Sequence, residues 1–269
     1  MGLPLWMENL ILRAIDSAFD RWPRKQPHDR ALKACKLVAH RGDFDNQTVF
    51  ENTIPAFERA VAGGVWGIEF DVRWTRDLHP VVFHDSDLQR LYGSAHKIAH
   101  LTLSELQADH PDIPSLDQVI GRCGKSSHLM VEIKQEHYPD PCRQRGILGE
   151  LFQRLEPQVD YHFMSLTPLM METVGFSSLQ TCLPIARLNI RELSKMAIAR
   201  GYRGLTGHYL LVTNRILNTH RRLGQPVGTG FVNSTRCLFR ELNRGVEWIF
   251  SNNAVTLQRA VRDLATGSG

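Results

Sequence analysis

Three acidic residues lie in apolar stretches of this sequence, where carboxylates are unexpected. Glu69 and Asp71 occur in GIEFDV, and Glu132 occurs in LMVEI. Residues two apart on a strand share a face, so Glu69 and Asp71 point the same way. Converging carboxylates repel one another unless a cation lies among them. Oxygen ligands of this kind suit hard cations, so we predict one divalent ion, Mg²⁺ or Ca²⁺, held by Glu69, Asp71 and Glu132.

Two histidines and two cations accompany these acids at the ends of apolar runs. His40 and Arg41 follow KLVA, His84 follows PVVF, and Lys134 comes two residues after Glu132. Imidazole titrates near neutral pH, which suits His40 and His84 to catalytic proton transfer. Arginine and lysine are good donors to phosphate oxygens. Together with a divalent ion, these residues indicate cleavage of a phosphate ester.

Some of these residues have a simpler interpretation. The acids could instead form ion pairs with Arg41, Lys134 and Arg73 at the rim of a barrel, with no metal. The concentration of so many charges in apolar strands favours a functional site. Nearby, Asn52 is predicted to cap the first helix. Glu51 either supports the site or faces solvent.

The surrounding pattern indicates which elements position these residues. From residue 36 onward, short apolar runs alternate with amphipathic stretches, which predicts an α/β fold, a (β/α)₈ TIM barrel. An open doubly wound sheet is the alternative. Active sites of such barrels lie at the carboxyl ends of the strands. We predict strands near 36–40, 66–72, 128–133, 161–165, 182–187, 203–207, 226–231 and 247–251, and helices near 52–62, 115–122, 143–155, 168–175, 191–200, 214–223, 234–244 and 254–264.

One segment interrupts the alternation. After the second strand the chain reads EFDVRWTRDLHPVVFHD, which leaves no room for a helix between two β-rich runs. Residues 79–84 are therefore predicted to be the return arm of a β-hairpin extension after strand 2. This arm would carry His84 to the mouth of the barrel.

The amino-acid composition indicates what kind of protein this is and which ligands it could bind. The 269 residues are 42% hydrophobic and 22% charged, which is typical of a globular enzyme. The formal net charge is +4 with scattered Lys and Arg, so we expect a small phosphorylated ligand and no nucleic acid partner. Acidic and basic residues interrupt the N-terminal apolar stretch, so we expect no secretory signal, and no apolar run in this sequence is long enough to span a membrane. Five separated cysteines without a CxxC pair favour a reducing compartment, and we expect a cytoplasmic protein.

The N-terminal segment carries its own signal. An apolar stripe between Leu5 and Trp22 predicts a helix, so we divide the chain into an amphipathic helix with linker over 1–30 and a single catalytic barrel domain over 31–269. The helix would pack on the domain or lie on a lipid surface. Acidic residues on its polar face favour packing, and a weak peripheral membrane contact is the alternative.

Taken in order, these residues carry a resemblance to a known family. The chain closely resembles glycerophosphodiester phosphodiesterases, and the ordered set of motifs is far more specific than any one of them. The likeness covers roughly residues 36–255. The matching residues are His40-Arg41-Gly42, Glu51-Asn52-Thr53, Glu69-Phe70-Asp71-Val72, Pro80-Val81-Val82-Phe83-His84-Asp85 and Val131-Glu132-Ile133-Lys134.

The resemblance implies a (β/α)₈ barrel that hydrolyses glycerophosphodiesters to glycerol 3-phosphate and an alcohol. It implies that His40 and His84 act as general acid and base. By the same resemblance, the three acids bind a divalent metal, and Arg41 and Lys134 hold the phosphate. The substrate's own glycerol hydroxyl would attack first and give a cyclic phosphate that water then opens.

The last two units depart from the family pattern. Gly230-Phe231-Val232-Asn233 stands where Trp-Thr-Val-Asn is usual, and Ser251-Asn252 stands where Thr-Asp is usual. Losing an indole at position 230 would leave room for a bulkier group. A lysophospholipase D, which takes acylated glycerophosphodiesters, is therefore an alternative. A second alternative is a barrel that binds phosphorylated ligands without catalysis.

Overall fold

Eight parallel strands close into a barrel in this computed structural model, which describes residues 21–267 apart from the side chains of residues 173 and 174. The barrel closes because the first strand pairs with both the second and the last. A further strand, β3, runs antiparallel to β2. The predicted barrel with a hairpin after strand 2 is confirmed. The strands are β1 Leu37–His40, β2 Gly67–Trp74, β3 Pro80–Val82, β4 His128–Ile133, β5 Tyr161–Ser165, β6 Cys182–Ala186, β7 Leu205–His208, β8 Val227–Gly230 and β9 Trp248–Ser251.

Helices follow the barrel strands, as the alternation predicts, and lie outside the barrel. Three short helices were not predicted: α1 before the barrel, and α3 and α4 after the hairpin. Their few apolar residues give too little periodicity to recognise in the sequence. The helices are α1 Asp29–Lys33, α2 Ile54–Ala62, α3 Gln89–Tyr92, α4 Leu103–Asp109, α5 Leu116–Cys123, α6 Pro141–Phe152, α7 Pro168–Val174, α8 Ile190–Arg200, α9 Asn214–Arg222, α10 Thr235–Arg244 and α11 Ala254–Ala265.

Alternation along the strands separates two kinds of core. On β2, Ile68 and Phe70 pack outward in the large apolar cluster between the sheet and the helices. On the inner face, Val38, Met130 and Trp248 belong to a separate apolar cluster that fills the barrel. The acidic residues of β2 and β4 have the parity of this inner face. Polar site residues therefore stand above a packed apolar floor.

Arg73 links the hairpin to the barrel in addition to the pairing of β3 with β2. Arg73 on β2 donates from Nε to the carbonyl oxygen of His84 at 2.9 Å and from Nη1 to Glu136 at 2.9 Å. Glu136 follows β4 and also accepts from the backbone N–H of Trp74 at 2.9 Å. The return arm therefore cannot shift without breaking contacts to both neighbouring strands.

A buried histidine pair occupies the amino end of the barrel. His128 Nδ1 donates a hydrogen bond to the carbonyl oxygen of Val159 at 2.8 Å. His128 Nε2 therefore accepts a hydrogen bond from His162 Nδ1, also at 2.8 Å. Burial lowers the pKa of His128 to about 4 and that of His162 to about 3. Both rings are therefore neutral in the folded protein at neutral pH.

This pair makes stability depend on pH. Unfolded histidine takes up a proton near pH 6.5, so below that pH the unfolded state binds more protons than the fold and stability falls. The expected loss is about 2 kcal/mol per histidine between pH 7 and pH 5, measured as the free energy of unfolding in urea. His162→Gln should reduce this slope, whereas equal slopes in variant and wild type would contradict the assignment.

The N-terminal prediction falls largely outside this description. The helix predicted over Leu5–Trp22 lies almost entirely in residues that are not described, and the predicted boundary at residue 30 falls within α1. The division into 1–30 and 31–269 stays a prediction. Between residues 21 and 267, no helix combines the length and apolar character that crossing a bilayer requires.

Candidate active site

Three carboxylates meet inside the barrel at the carboxyl ends of β2 and β4. Strand register places Asp71 beside Glu132, and Glu69 lies two residues before Asp71 on the same face. One oxygen from each of Glu69, Asp71 and Glu132 lies within 4.8 Å of the others, and all three residues are buried. The structure therefore brings together the acids that the sequence singled out.

Two cations partly neutralise this cluster. The Lys134 ammonium lies 2.7 Å from Asp71 and 2.8 Å from Glu132, and Arg41 Nε lies 3.2 Å from Asp71. Burial acts to raise the pKa of Asp71, but Lys134 and Arg41 outweigh it and hold the pKa well below its usual range. The ion-pair alternative therefore describes Asp71 and, in part, Glu132, whereas Arg73 pairs with Glu136 and not with the cluster.

Glu69 is the member of the cluster that these cations do not satisfy. Among the described residues it has no lysine or arginine side-chain partner; it accepts the backbone N–H of Arg41 at 3.2 Å, and His40 Nε2 lies 3.8 Å away. Burial and the charges of Asp71 and Glu132 raise its pKa well above the usual range. Burial also raises the pKa of Glu132. Three buried carboxylates with this excess of negative charge fit a hard divalent cation.

His40 is held from two sides at the end of β1. Its Nδ1 lies 2.7 Å from Asn252 Oδ1, and its ring meets Phe231 edge to face at 4.8 Å between centroids. Burial, followed by the charge of Arg41, lowers the pKa of His40 to about 3. An amide oxygen only accepts hydrogen bonds, so neutral His40 carries its proton on Nδ1. Its Nε2 is left as an acceptor on the side of Glu69.

Asn252 is itself fixed by the loop after β8. Its backbone N–H donates to Asn233 Oδ1 at 3.1 Å, and Asn253 Nδ2 donates to the backbone carbonyl oxygen of Asn233 at 3.2 Å. The sequence analysis noted Asn252 as a departure and missed its contact with His40. Its position directly after β9, beside the last residue of the neighbouring strand β1, was the available signal.

We expect Asn252→Ala to lower kcat about tenfold with little change in KM, because one hydrogen bond that orients the ring is lost. Steady-state kinetics on a soluble substrate, with thermal unfolding as the check on folding, measures this. Asn218→Ala, a substitution on the exposed side of α9, is the control. A variant with unchanged kcat, or one that changes only KM, would show that Asn252 does not position His40.

His84 reaches the site from the hairpin, as predicted. Its Nδ1 lies 2.7 Å from Asp85 Oδ1, and Asp85 accepts from Arg90 Nε at 2.6 Å. Burial lowers the pKa of His84. Burial acts to raise the pKa of the Asp85 carboxyl, but its hydrogen bonds with His84 and Arg90 outweigh burial and lower that pKa. The charge of His84 is near enough to His40 to contribute to the lowered pKa of His40.

Arg41 is oriented by Glu51. Arg41 Nη1 donates to Glu51 at 2.8 Å, and Arg90 Nη2 donates to the same carboxylate at 2.6 Å. Burial acts to raise the pKa of Glu51, but Arg90 and Arg41 lower it to about 2. Glu51 is buried, so of its two predicted placements the structure has the supporting one and not the solvated one.

Asn52 does not cap the first helix, and that prediction is wrong. The N-cap of α2 is Thr53, whose hydroxyl accepts from the backbone N–H of Ala56. Asn52 has φ near 60° and turns its amide inward, where Nδ2 donates to Asp71 at 2.8 Å. Asparagine tolerates this left-handed conformation better than most residues, which explains its use at this turn.

The departures at β8 shape one wall of the site. A Cβ added at Gly230 would meet a single neighbouring atom, the Cβ of Phe250, at 3.5 Å, so space is present there as the sequence analysis expected. Phe231 borders that space, 37% exposed and against His40. The wall beside His40 is therefore apolar and comes from position 231.

Comparison with known proteins agrees with this geometry. The model of the "Glycerophosphoryl diester phosphodiesterase family" matches residues 40–197. A glycerophosphodiester phosphodiesterase of Bacillus altitudinis is 27% identical over 243 residues, which cover 81% of this chain and 94% of that protein. One from Caldanaerobacter subterraneus subsp. tengcongensis is 45% identical over 71 residues, 26% of this chain and 28% of that protein. Glycerophosphodiester phosphodiesterase 1 of Homo sapiens is 30% identical over 116 residues, 36% of this chain and 34% of its own.

Solved structures share the fold. A phosphodiesterase of Oleispira antarctica, solved in complex with the product sn-glycerol-3-phosphate, superposes with a TM-score of 0.73 at 19% identity, over 86% of this chain and 99% of that one. The glycerophosphodiester phosphodiesterase of Thermotoga maritima gives a TM-score of 0.69 at 21% identity, over 85% and 97%. At these identities the likeness supports the barrel fold.

Proposed function

This chain belongs to the glycerophosphoryl diester phosphodiesterase family, and from that premise we propose that it hydrolyses glycerophosphodiesters to sn-glycerol 3-phosphate and an alcohol. The observation that carries the proposal is the cluster of Glu69, Asp71 and Glu132 with His40 and His84 beside it. Buried acids supply a cation site, and the imidazoles supply proton transfer.

We assign the proton transfers from the partners of each ring. The Nδ1 proton of His40 is committed to Asn252, which leaves Nε2 to accept a proton from the glycerol hydroxyl as that oxygen attacks phosphorus. His84 lies against the Asp85 carboxylate, which stabilises an imidazolium, so His84 donates a proton to the departing alcohol. The cyclic phosphate is then opened by water, with the two roles reversed.

The phosphate would be held by Arg41 and Lys134. Both cations face the acidic cluster, and Glu51 keeps the Arg41 guanidinium oriented. A divalent cation, Mg²⁺ or Ca²⁺, bound by Glu69, Asp71 and Glu132 would stabilise negative charge developing on the phosphoryl oxygens. Arg41 and Lys134 can exchange carboxylate contacts for phosphate contacts once that cation balances the acids.

A release assay tests the proposal. Glycerol 3-phosphate should appear from glycerophosphocholine or glycerophosphoethanolamine when a divalent ion is present, as measured by a coupled dehydrogenase. The second candidate, a lysophospholipase D, is favoured by the space at Gly230 and by the apolar Phe231. It would instead release choline from lysophosphatidylcholine faster than from the deacylated diester. Binding of glycerol 3-phosphate without any turnover would indicate a non-catalytic barrel.

We also propose that the protein works in the cytoplasm. Cys35, Cys123, Cys142 and Cys182 form no disulfide within the described residues, which suits a reducing compartment. Fractionation of cells that express the tagged protein checks this, and recovery from an oxidising compartment with intramolecular disulfides would contradict it.

A further inference from the structure

Exposed apolar side chains gather at the carboxyl-end face of the barrel. Leu169 follows β5 and is 56% exposed, Leu188 follows β6 and is 89% exposed, and Phe231 follows β8. Loops after parallel strands share one end of a barrel, so these side chains lie on the face that carries the active site. We call the segments after β5 to β8, each a loop with the first residues of the helix that follows, the apolar rim; they are residues 166–170, 187–192, 209–215 and 231–236. Such exposure of large apolar groups marks an interaction surface.

The apolar rim also carries unpaired positive charge. Arg187 precedes Leu188, and Arg191, Arg215 and Arg236 are each the second residue of α8, α9 and α10. All four are exposed, and none forms an ion pair with another residue in the described part of the chain.

These arginines stand where helix electrostatics disfavours them. The amino terminus of a helix is the positive end of its dipole, so a cation in the first turn is destabilising. The pattern occurs in three successive barrel helices. Because a destabilising arginine recurs at the same position of three helices, we infer that these charges bind an external, negatively charged surface.

Charge is distributed unevenly around the mouth. Segments 187–192, 209–215 and 231–236 contain four arginines and one acidic residue, Glu192. Across the mouth, acids outnumber cations in both segments: residues 41–53 contain three acids and Arg41, and residues 85–92 contain Asp85, Asp87 and Arg90. The side of the mouth with exposed leucines is therefore also the basic side.

We propose that the apolar rim docks on a bilayer surface that contains anionic lipid. Leucine and phenylalanine side chains would enter the interfacial region while the arginines contact lipid phosphates, a combination that peripheral membrane proteins use. The barrel mouth would then face the membrane. The proposal does not depend on the proposed activity, and it assigns the membrane contact to residues of the barrel and not to the N-terminal segment.

Vesicle cosedimentation of the full chain tests the proposal. The probes are phosphatidylcholine vesicles with and without about one third phosphatidylglycerol. The test variant combines Arg187→Gln with Leu188→Ser. The matched control combines Arg222→Gln with Leu223→Ser, an exposed pair at the far end of α9 where Leu223 is 55% exposed. Thermal unfolding verifies that both variants are folded.

We expect wild type to bind the anionic vesicles and to release them at high salt. The rim variant should bind about tenfold more weakly, since each arginine near an anionic surface contributes about fivefold and the leucine adds to this. The control should bind as wild type does. The proposal is overturned by absence of binding, by equal binding to neutral vesicles, or by equal losses in both variants. Loss of vesicle binding in Leu12→Asp, a change in the N-terminal apolar stripe, with wild-type binding by the rim variant, would overturn it too.

Discussion

His40→Ala is expected to lower kcat by about 10² to 10⁴ while the barrel stays folded, because a positioned proton acceptor contributes that much to a phosphoryl transfer. His84→Ala should cause a loss of the same order through the departing alcohol. Both side chains stand at the site above the packed floor, so their removal opens no cavity in the apolar core. Turnover of glycerophosphocholine by purified variants, with thermal unfolding as a check, measures the effect.

The different roles of the two histidines predict that His40→Ala and His84→Ala respond differently to the leaving group of the substrate, which a general loss of structure would not cause. A substrate with a good leaving group, such as a nitrophenyl ester of glycerol phosphate, needs little protonation of the departing oxygen. His84→Ala should therefore recover much of its rate on that substrate, whereas His40→Ala should not. His79→Ala, at the exposed turn of the same hairpin, is the control for both. Rates close to wild type in either catalytic variant would remove that residue from the mechanism.

Removal of divalent ions is expected to abolish activity, and Mg²⁺ or Ca²⁺ should restore it. Glu69 is the informative ligand, because burial and the neighbouring acids raise its pKa well above the usual range and so favour a proton on the carboxyl when no cation is present. A metal must displace that proton, so metal affinity should rise with pH and binding should release a proton. Calorimetry in buffers of different ionisation enthalpy measures the proton released, independently of catalysis.

Substitution of Glu69 tests whether its carboxylate binds the metal directly or affects metal affinity only through its charge. Glu69→Gln keeps the size of the side chain, removes its charge and should weaken metal binding by more than about tenfold. Glu58→Gln removes the same charge from an exposed glutamate on α2 that pairs with Arg122, and should leave metal affinity unchanged. Activity that persists in excess chelator, or unaltered affinity in Glu69→Gln, would exclude the acidic cluster as the metal site.

Much of the site follows from local rules of strand geometry. Period-two alternation puts Glu69 and Asp71 on one face, and parallel closure of the barrel brings Glu132 beside them, so the cluster could be predicted. The hairpin was predictable for a different reason. The segment between β2 and Pro80 is too short for a helix, so the chain can only turn back on itself.

The contacts that sequence reasoning missed join residues far apart in the chain. Asn252 meets His40 across 212 positions, and Arg90 meets Glu51 across 39. Neither partner has a residue type that points to the other. The wrong cap assignment has a local cause: Asn52 and Thr53 are both good capping residues, and the demand of Asp71 for a donor decided which one turned inward.

The contacts of Arg73 have a consequence for how this scaffold can vary. The brace from Arg73 to His84 and Glu136 lies on the barrel side of the turn at residues 75–79. Changes of length or composition at that turn should therefore leave the position of the His84 imidazole unchanged. Evolution or a protein engineer can exchange the turn for a longer recognition loop while the catalytic geometry is inherited intact.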